Sequence, residues 1–416
     1  MSNQENPRRI MWLHLGRLFL VYLSVAVVRA ANAVFIVSIA LTYPGLSAAT
    51  VGQLLAAYSI VEALSGFLCG VIYEVLGLRI SLLIASTVLS LSYMAMDVAP
   101  SFSYLLIFNA LAGLSASMIL VSSLSAVAEG TMGISAAKRI FGVGGFEASN
   151  LGGYAVGFAL AGFLEILGML RGFMVSSILA FVSIVTSIFI TVARSELRTG
   201  YKIYQVDRRS LYLVPMWFGM AMILGVGFLS PKILSELKLG VSIPFLANIS
   251  NSYIGSFEDI GANPSIGLLL ILALLGVSLG IMIGSMISAK IGKGRSLILG
   301  AVSFPAALIT AGFTYENLLL YLPLIIILAI PALSIPPTLI TLLADYTDES
   351  RRRGPSSGIY VTVLGIGIGL GEILGGKIFD LYGLKILTIL LALLFLILSL
   401  PTIIYVNKAK VSILPS

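Results

Sequence analysis

A ten-residue signature, Gly-x-x-x-acid-x-x-Gly-x-basic, can be read four times along this chain of 416 residues. Gly70, Glu74, Gly77 and Arg79 form the first copy, and Gly376, Asp380, Gly383 and Lys385 the last. Two weaker copies lie between them. One has Ala161, Glu165 and Gly168 with Arg171 one place late; the other has Ser285, Ala289, Lys290 and Gly292 with Arg295 one place late. Gly77 and Gly168 are 91 residues apart, as are Gly292 and Gly383, and the second pair follows the first by 215. Such spacing describes a chain of two halves, each itself duplicated, with equivalent turns at four points.

Composition sets the solvent in which those halves fold. Hydrophobic residues make up 58% of the chain and charged residues 10%, against roughly 25% charged in soluble domains. A soluble fold could not hide this much apolar surface, so lipid is the expected surroundings. The 42 glycines suit helices that pack closely in a bilayer. A single cysteine, Cys69, and a single histidine, His14, exclude an internal disulfide framework and a Cys- or His-rich metal site. No Gly-x-x-x-x-Gly-Lys-Ser/Thr loop and no catalytic constellation is present, so neither enzymatic chemistry nor a cofactor is expected. The opening MSNQENPRR runs directly into an apolar stretch without a small-residue cleavage site, which predicts no cleaved signal.

About 20 apolar residues cross a bilayer as a helix. Twelve such runs are predicted, at 17–42, 48–76, 79–98, 101–128, 141–168 and 171–194, then 211–236, 265–289, 294–314, 317–343, 356–379 and 384–406. This divides the chain into an N-terminal six-helix half (1–194), a charged linker (195–210) and a C-terminal six-helix half (211–416). The polar stretch 237–264 reads as an inserted loop. On the side shared by both termini fall 19 of the 25 Lys and Arg residues, with five opposite and Arg29 within the membrane. The positive-inside rule then makes both termini cytoplasmic. The net charge of +7 is thus a topology signal, and nucleic acid is not an expected partner. Gly77 and Gly292 fall in cytoplasmic turns and Gly168 and Gly383 in outer ones, so each half is an inverted three-plus-three repeat.

These residues resemble the major facilitator superfamily. Its signature turn between the second and third helices is matched by Gly70-Val-Ile-Tyr-Glu74-Val-Leu-Gly77-Leu-Arg79, with Glu in place of Asp. The turns after the fourth and tenth helices resemble the family too, with Glu129, Lys138, Arg139 and Gly142 in one and Asp345, Arg351, Arg352 and Gly354 in the other. The resemblance spans the whole chain. It implies an all-α, twelve-helix membrane fold, and a secondary transporter that moves a small solute by alternating access, working as a monomer in the cell membrane. It also implies a cytoplasmic gate in which Glu74 pairs with Arg79 or Arg139 and faces the start of the eleventh helix near Ser356, with Gly70, Gly77, Asp345 and Arg351 in the same machinery. The plain alternative is a turn charge that only sets topology. Drug/proton antiporters of the family usually carry Gly-Pro-x-x-Gly-Gly in the fifth helix. Here that helix has no Pro, and Glu372 stands where Pro would in the Gly371–Gly376 stretch of the eleventh.

Polar groups inside the predicted spans are the candidates for substrate and coupling. Arginine at mid-bilayer costs about 2.5–3.5 kcal/mol on insertion scales, so Arg29 must face protein or a wet cavity. It reads as an anchor for an anionic group, or as one member of a structural ion pair. Asn32 lies one turn further on nearly the same face. Glu62 reads equally as a proton-coupling carboxylate or as the fixed partner of Arg29. Gly66 and Gly70 share its face, which is expected to meet the glycine-rich Gly365–Gly371 stretch. Glu147, sharing a face with Asn150, and Glu372 are further carboxylates for a proton or cation, with helix–helix hydrogen bonding as the alternative. Tyr58, Asn109 and Trp217 either shape the substrate site or pack. Pro231, Pro331, Pro336 and Pro337 mark bends in the seventh and tenth helices. Taken together, a proton-coupled transporter of an organic anion is expected; efflux of hydrophobic cations, lipid handling and a receptor on the same fold are the alternatives.

Overall fold

A computed structural model describes residues 7–43, 45–130, 136–166, 173–190, 208–237, 290–350 and 353–411, with scattered positions between 276 and 288. Among the described residues every regular element is a helix. These are α1 (Pro7–Thr42), α2 (Ala48–Asp97), α3 (Phe102–Gly130), α4 (Ala136–Ile166), α5 (Met174–Phe189), α6 (Arg208–Leu211), α7 (Val214–Phe228), α8 (Ser230–Glu236), α9 (Lys293–Thr314), α10 (Leu318–Ala332), α11 (Ile335–Ser350) and α12 (Arg353–Val411). Seven of the described helical stretches are long and apolar enough to cross a membrane, or eight if α7 and α8, bent by 47° at Leu229, form one broken span. The bend precedes Pro231 in the first turn of α8, where a missing N–H costs nothing. The other predicted interruption lies between α10 and α11, flanked by Pro331 on one side and Pro336 and Pro337 on the other. The predicted loop 237–264, the copy at Gly168 and most of the linker lie outside the described residues.

Two compact units emerge, and α2 contributes to both. One contains Met1–Tyr43, Leu64–Thr199 and Val241–Leu268; the other contains Pro44–Ala63, Gly200–Gly240 and Leu269–Ser416. In the first unit α1 packs on α3, α4 and α5. Hydroxyl pairs join its helices: Ser24 to Thr186 at 2.7 Å, Ser86 to Ser183 at 2.8 Å and Ser90 to Ser177 at 3.2 Å. In lipid, where apolar burial does not drive helices together, such bonds contribute about 0.6 kcal/mol each. Gly66 and Gly70 lie nearest to Ser117 and Val121 of α3, so this part of the small-residue face of α2 meets α3 and not the glycine-rich helix expected from sequence.

In the second unit α12 packs on α7 and α9. Its glycines fall on two faces. A Cβ on Gly367, Gly371 or Gly375 would run into Ala221, Met222 or Val226 of α7. A Cβ on Gly365, Gly369 or Gly376 would run into Ala63, Ile60 or Ala48 of α2. Glycine at each point lets two backbones approach closely, so the two helices flanking α12 are held by shape.

The repeated signature has a conformational cause. Gly77 (φ 73°, ψ 172°), Gly292 (φ 86°, ψ 154°) and Gly383 (φ 75°, ψ −179°) are the three glycines with positive φ among the described residues. That region is essentially reserved for glycine. Gly77 follows the start of α2 by 29 residues and Gly383 follows the start of α12 by 30, so the two helices are laid out alike. A Cβ at Gly77 or Gly383 would meet nothing within 4 Å, which leaves backbone strain as the whole cost of substitution. Gly383→Ala is expected to destabilise the protein by about 1–3 kcal/mol. Gly152→Ala, with the same open space and no positive φ, should leave the midpoint of thermal unfolding in detergent unchanged; equal midpoints for the two variants would contradict the strain argument.

Candidate functional site

Arg29 is 5% exposed on α1, and helix α4 supplies its described partners. The approach of α4 depends on Gly153 and Gly157: a Cβ on the first would overlap Ala26 and the Arg29 Cβ, and on the second, Ala30 and Ala33. With the helices this close, Asn150 and Tyr154, one turn apart, reach the guanidinium. Arg29 Nε donates to Asn150 Oδ1 at 2.7 Å, and its Nη1 donates to the Tyr154 hydroxyl at 3.1 Å. The guanidinium carbon lies 5.2 Å from the Tyr154 ring centroid, within cation–π range. Asn32 Nδ2 donates to the same hydroxyl at 3.2 Å. Arg29 and Asn32, paired on sequence spacing, therefore share Tyr154 as a partner.

A second cluster lies in the other unit, where α12 meets the first part of α2. Glu372 is 1% exposed. Its Oε1 accepts from the Ser59 hydroxyl at 3.3 Å, while its Oε2 is buried without a hydrogen-bond partner. Glu62 is buried one turn beyond Ser59 on the same helix. The backbone carbonyl of Glu372 sits where a Cβ on Gly52 would fall. A carboxyl inside a glycine-packed seam, with one hydroxyl donor and an acidic neighbour, can hold a proton or a cation; as an ion it has little to compensate it.

Tyr58 and Trp217 are buried in the second unit and Asn109 in the first. Glu74, Arg139 and Glu147 lie on helices, but their side chains are outside the described set, as is Arg351 altogether. Gly70, Gly77 and the exposed Arg79 lie on α2. Asp345 is ion-paired with Lys293. Beside that pair Arg209 donates to the Tyr346 carbonyl at 3.2 Å and lies 5.3 Å from the Tyr346 ring centroid. Sequence reading missed Tyr154 and Ser59. The Gly153-x-x-x-Gly157 spacing would have found the first, since small residues four apart mark the face on which a neighbouring helix lands.

The family model described as Major Facilitator Superfamily matches residues 239–413. A comparison with curated protein sequences gave no match. Among solved structures, the nucleoside transporter NupG is similar over 95% of this chain and 99% of its own, with 12% identity and a TM-score of 0.66. A POT family transporter in complex with thioalcohol conjugated peptide is similar over 94% of this chain and 96% of its own, at 11% identity and a TM-score of 0.70. The human organic anion transporter MFSD10 (TETRAN) is similar over 96% of this chain and 100% of its own, at 15% identity and a TM-score of 0.62. The apolar helices, the glycine turns, the match to the C-terminal part and these full-length likenesses agree: this is a multi-pass integral membrane protein with the major facilitator superfamily fold.

Proposed function

We propose that the protein is a secondary transporter of a small organic anion, driven by protons and working by alternating access. In this reading twelve crossings form two six-helix halves, 1–194 and 211–416, around the cytoplasmic linker 195–210, with both termini in the cytoplasm. Arg29 carries the substrate assignment. It is a buried guanidinium at mid-span, fixed by α4 through Asn150 and Tyr154, and a guanidinium pairs most strongly with a carboxylate or phosphate. The fold itself does not choose a substrate, because the similar structures are a nucleoside transporter, a POT family transporter in complex with a thioalcohol conjugated peptide and an organic anion transporter. Tyr58, Asn109 and Trp217 would shape the rest of the site, and Glu62, Glu147 and Glu372 are the carboxylates available for coupling. Glu74, Arg79, Arg139, Asp345 and Arg351 would form the cytoplasmic gate.

A thermal-shift screen of purified protein with organic anions, sugars, amino acids and hydrophobic cations tests the substrate class, since a ligand of the folded state raises its apparent stability. Anions are expected to raise the unfolding midpoint, and the same anions should exchange across liposomes containing the protein. Stabilisation by cations alone would replace anion transport with efflux of hydrophobic cations.

A further inference from the structure

We infer that Asp380 is a latch that holds α2 against α12 on one side of the membrane and releases it during the transport cycle. A helix leaves its first four N–H groups without partners inside itself. Ser47, preceding α2, satisfies one, as Thr50 N donates to Ser47 Oγ at 3.2 Å, and its carbonyl accepts the first regular helix bond from Val51 N at 3.0 Å. Two more are satisfied from far along the chain. Ala48 N donates to Asp380 Oδ1 at 3.1 Å and Ala49 N to Asp380 Oδ2 at 2.8 Å. Both carboxylate oxygens thus cap the positive end of the helical stretch of α2 that precedes the break at Gly77. Asp380 is exposed, so water can replace either bond when the helices part. This makes the cap reversible.

Asp380 is also the acid of the fourth signature copy. It follows Glu74, the acid of the first, by the same 306 residues that separate Gly383 from Gly77. Applied to Ala48 and Ala49, that offset reaches Gly354 and Pro355, at the start of α12. In sequence, then, Glu74 is the counterpart of Asp380, while Pro355, which has no N–H, differs from Ala49 in what it can donate. Under the proposed topology the two acids lie on opposite faces, and the latch at Asp380 would alternate with the proposed cytoplasmic gate at Glu74, one engaged while the other is solvated. The inference rests on the alternating-access reading and assigns it a second gating residue.

The test uses the full-length protein with Cys69→Ser, so that an introduced cysteine is the sole thiol, and Ser59→Cys as reporter. Ser59 is buried where α2 meets α12, and its labelling by a maleimide requires these helices to part. In the absence of substrate, Asp380→Ala is expected to raise the labelling rate about fivefold, the population change that loss of an N-cap side chain brings. Glu74→Ala is expected to lower it. Asp380→Asn, which keeps the shape, should change the rate in the same direction as alanine and decides the matter if the alanine variant does not fold. An unchanged rate in a folded Asp380 variant, or a rise in both Asp380 and Glu74 variants, would overturn the latch. Liposome transport is read separately, on protein that keeps Ser59: opposed labelling shifts without transport would leave the latch and reject the transport reading, whereas transport with unshifted labelling would do the reverse.

Discussion

Arg29→Ala is expected to weaken anion binding by about 10- to 150-fold, the range given by one charge-assisted hydrogen bond of roughly 1.5–3 kcal/mol. The loss should appear in the ligand concentration needed for thermal stabilisation and, independently, in calorimetric affinity. Arg29→Lys is not expected to restore binding. The guanidinium donates in two directions at once, from Nε to Asn150 and from Nη1 to Tyr154, and in doing so it is held at the Tyr154 ring. A lysine ammonium is a single point charge on a flexible stem and cannot reproduce that fork. Removing the arginine also removes a partner from Asn150 and from Tyr154, so the ligand-free midpoint should fall as well. The two effects separate the readings: a lower midpoint with unchanged anion affinity would make Arg29 a structural group and remove the main support for an anionic substrate.

The features legible in sequence were those imposed by the backbone. A glycine at φ near +75° has no substitute, so the turns at Gly77, Gly292 and Gly383 show themselves as a repeat without any knowledge of neighbours. Arg29 and Glu372 were legible because a charge in an apolar run has no neutral explanation. Their partners were not. Serine is common throughout these helices, and nothing in the local pattern separates Ser59, bonded to Glu372, from Ser38, whose hydroxyl is buried without a partner. Which residue meets a glycine depends on the register of two helices. That is why Gly66 and Gly70, on the same helical stripe as Glu62, turn out to lie beside α3, while Gly365 and Gly369 meet α2 as expected. Hydropathy is also blind to bends of a few residues: the run read at 211–236 is two helices meeting at 47°.

Glu372→Gln is expected to abolish accumulation driven by a pH gradient while sparing exchange of substrate for substrate. One proton moved per substrate ties accumulation to the gradient at about tenfold per pH unit, the equivalent of about 1.4 kcal/mol. The glutamine side chain matches the shape of the protonated acid but cannot lose a proton, so a transporter that needs Glu372 to load and unload one should fall to about onefold accumulation at any gradient. Exchange needs only that the substrate-loaded protein reorient, which a permanently neutral residue permits. The geometry makes Glu372 the stronger choice over Glu62, which sequence alone could not rank. Glu372 has a single described donor, Ser59, and an oxygen with no partner at all in a seam closed by Gly52 and Gly369. Taking an ionised carboxylate out of water there is costly, and a proton removes that cost; parting of α2 and α12 would return the group to water and let the proton leave. Closure of the seam and occupancy by the proton are then one event. Glu62→Gln measured beside it assigns the proton: loss of pH-driven uptake in Glu62→Gln alone would move the coupling role to Glu62, and retention in both variants would remove this seam from the coupling mechanism.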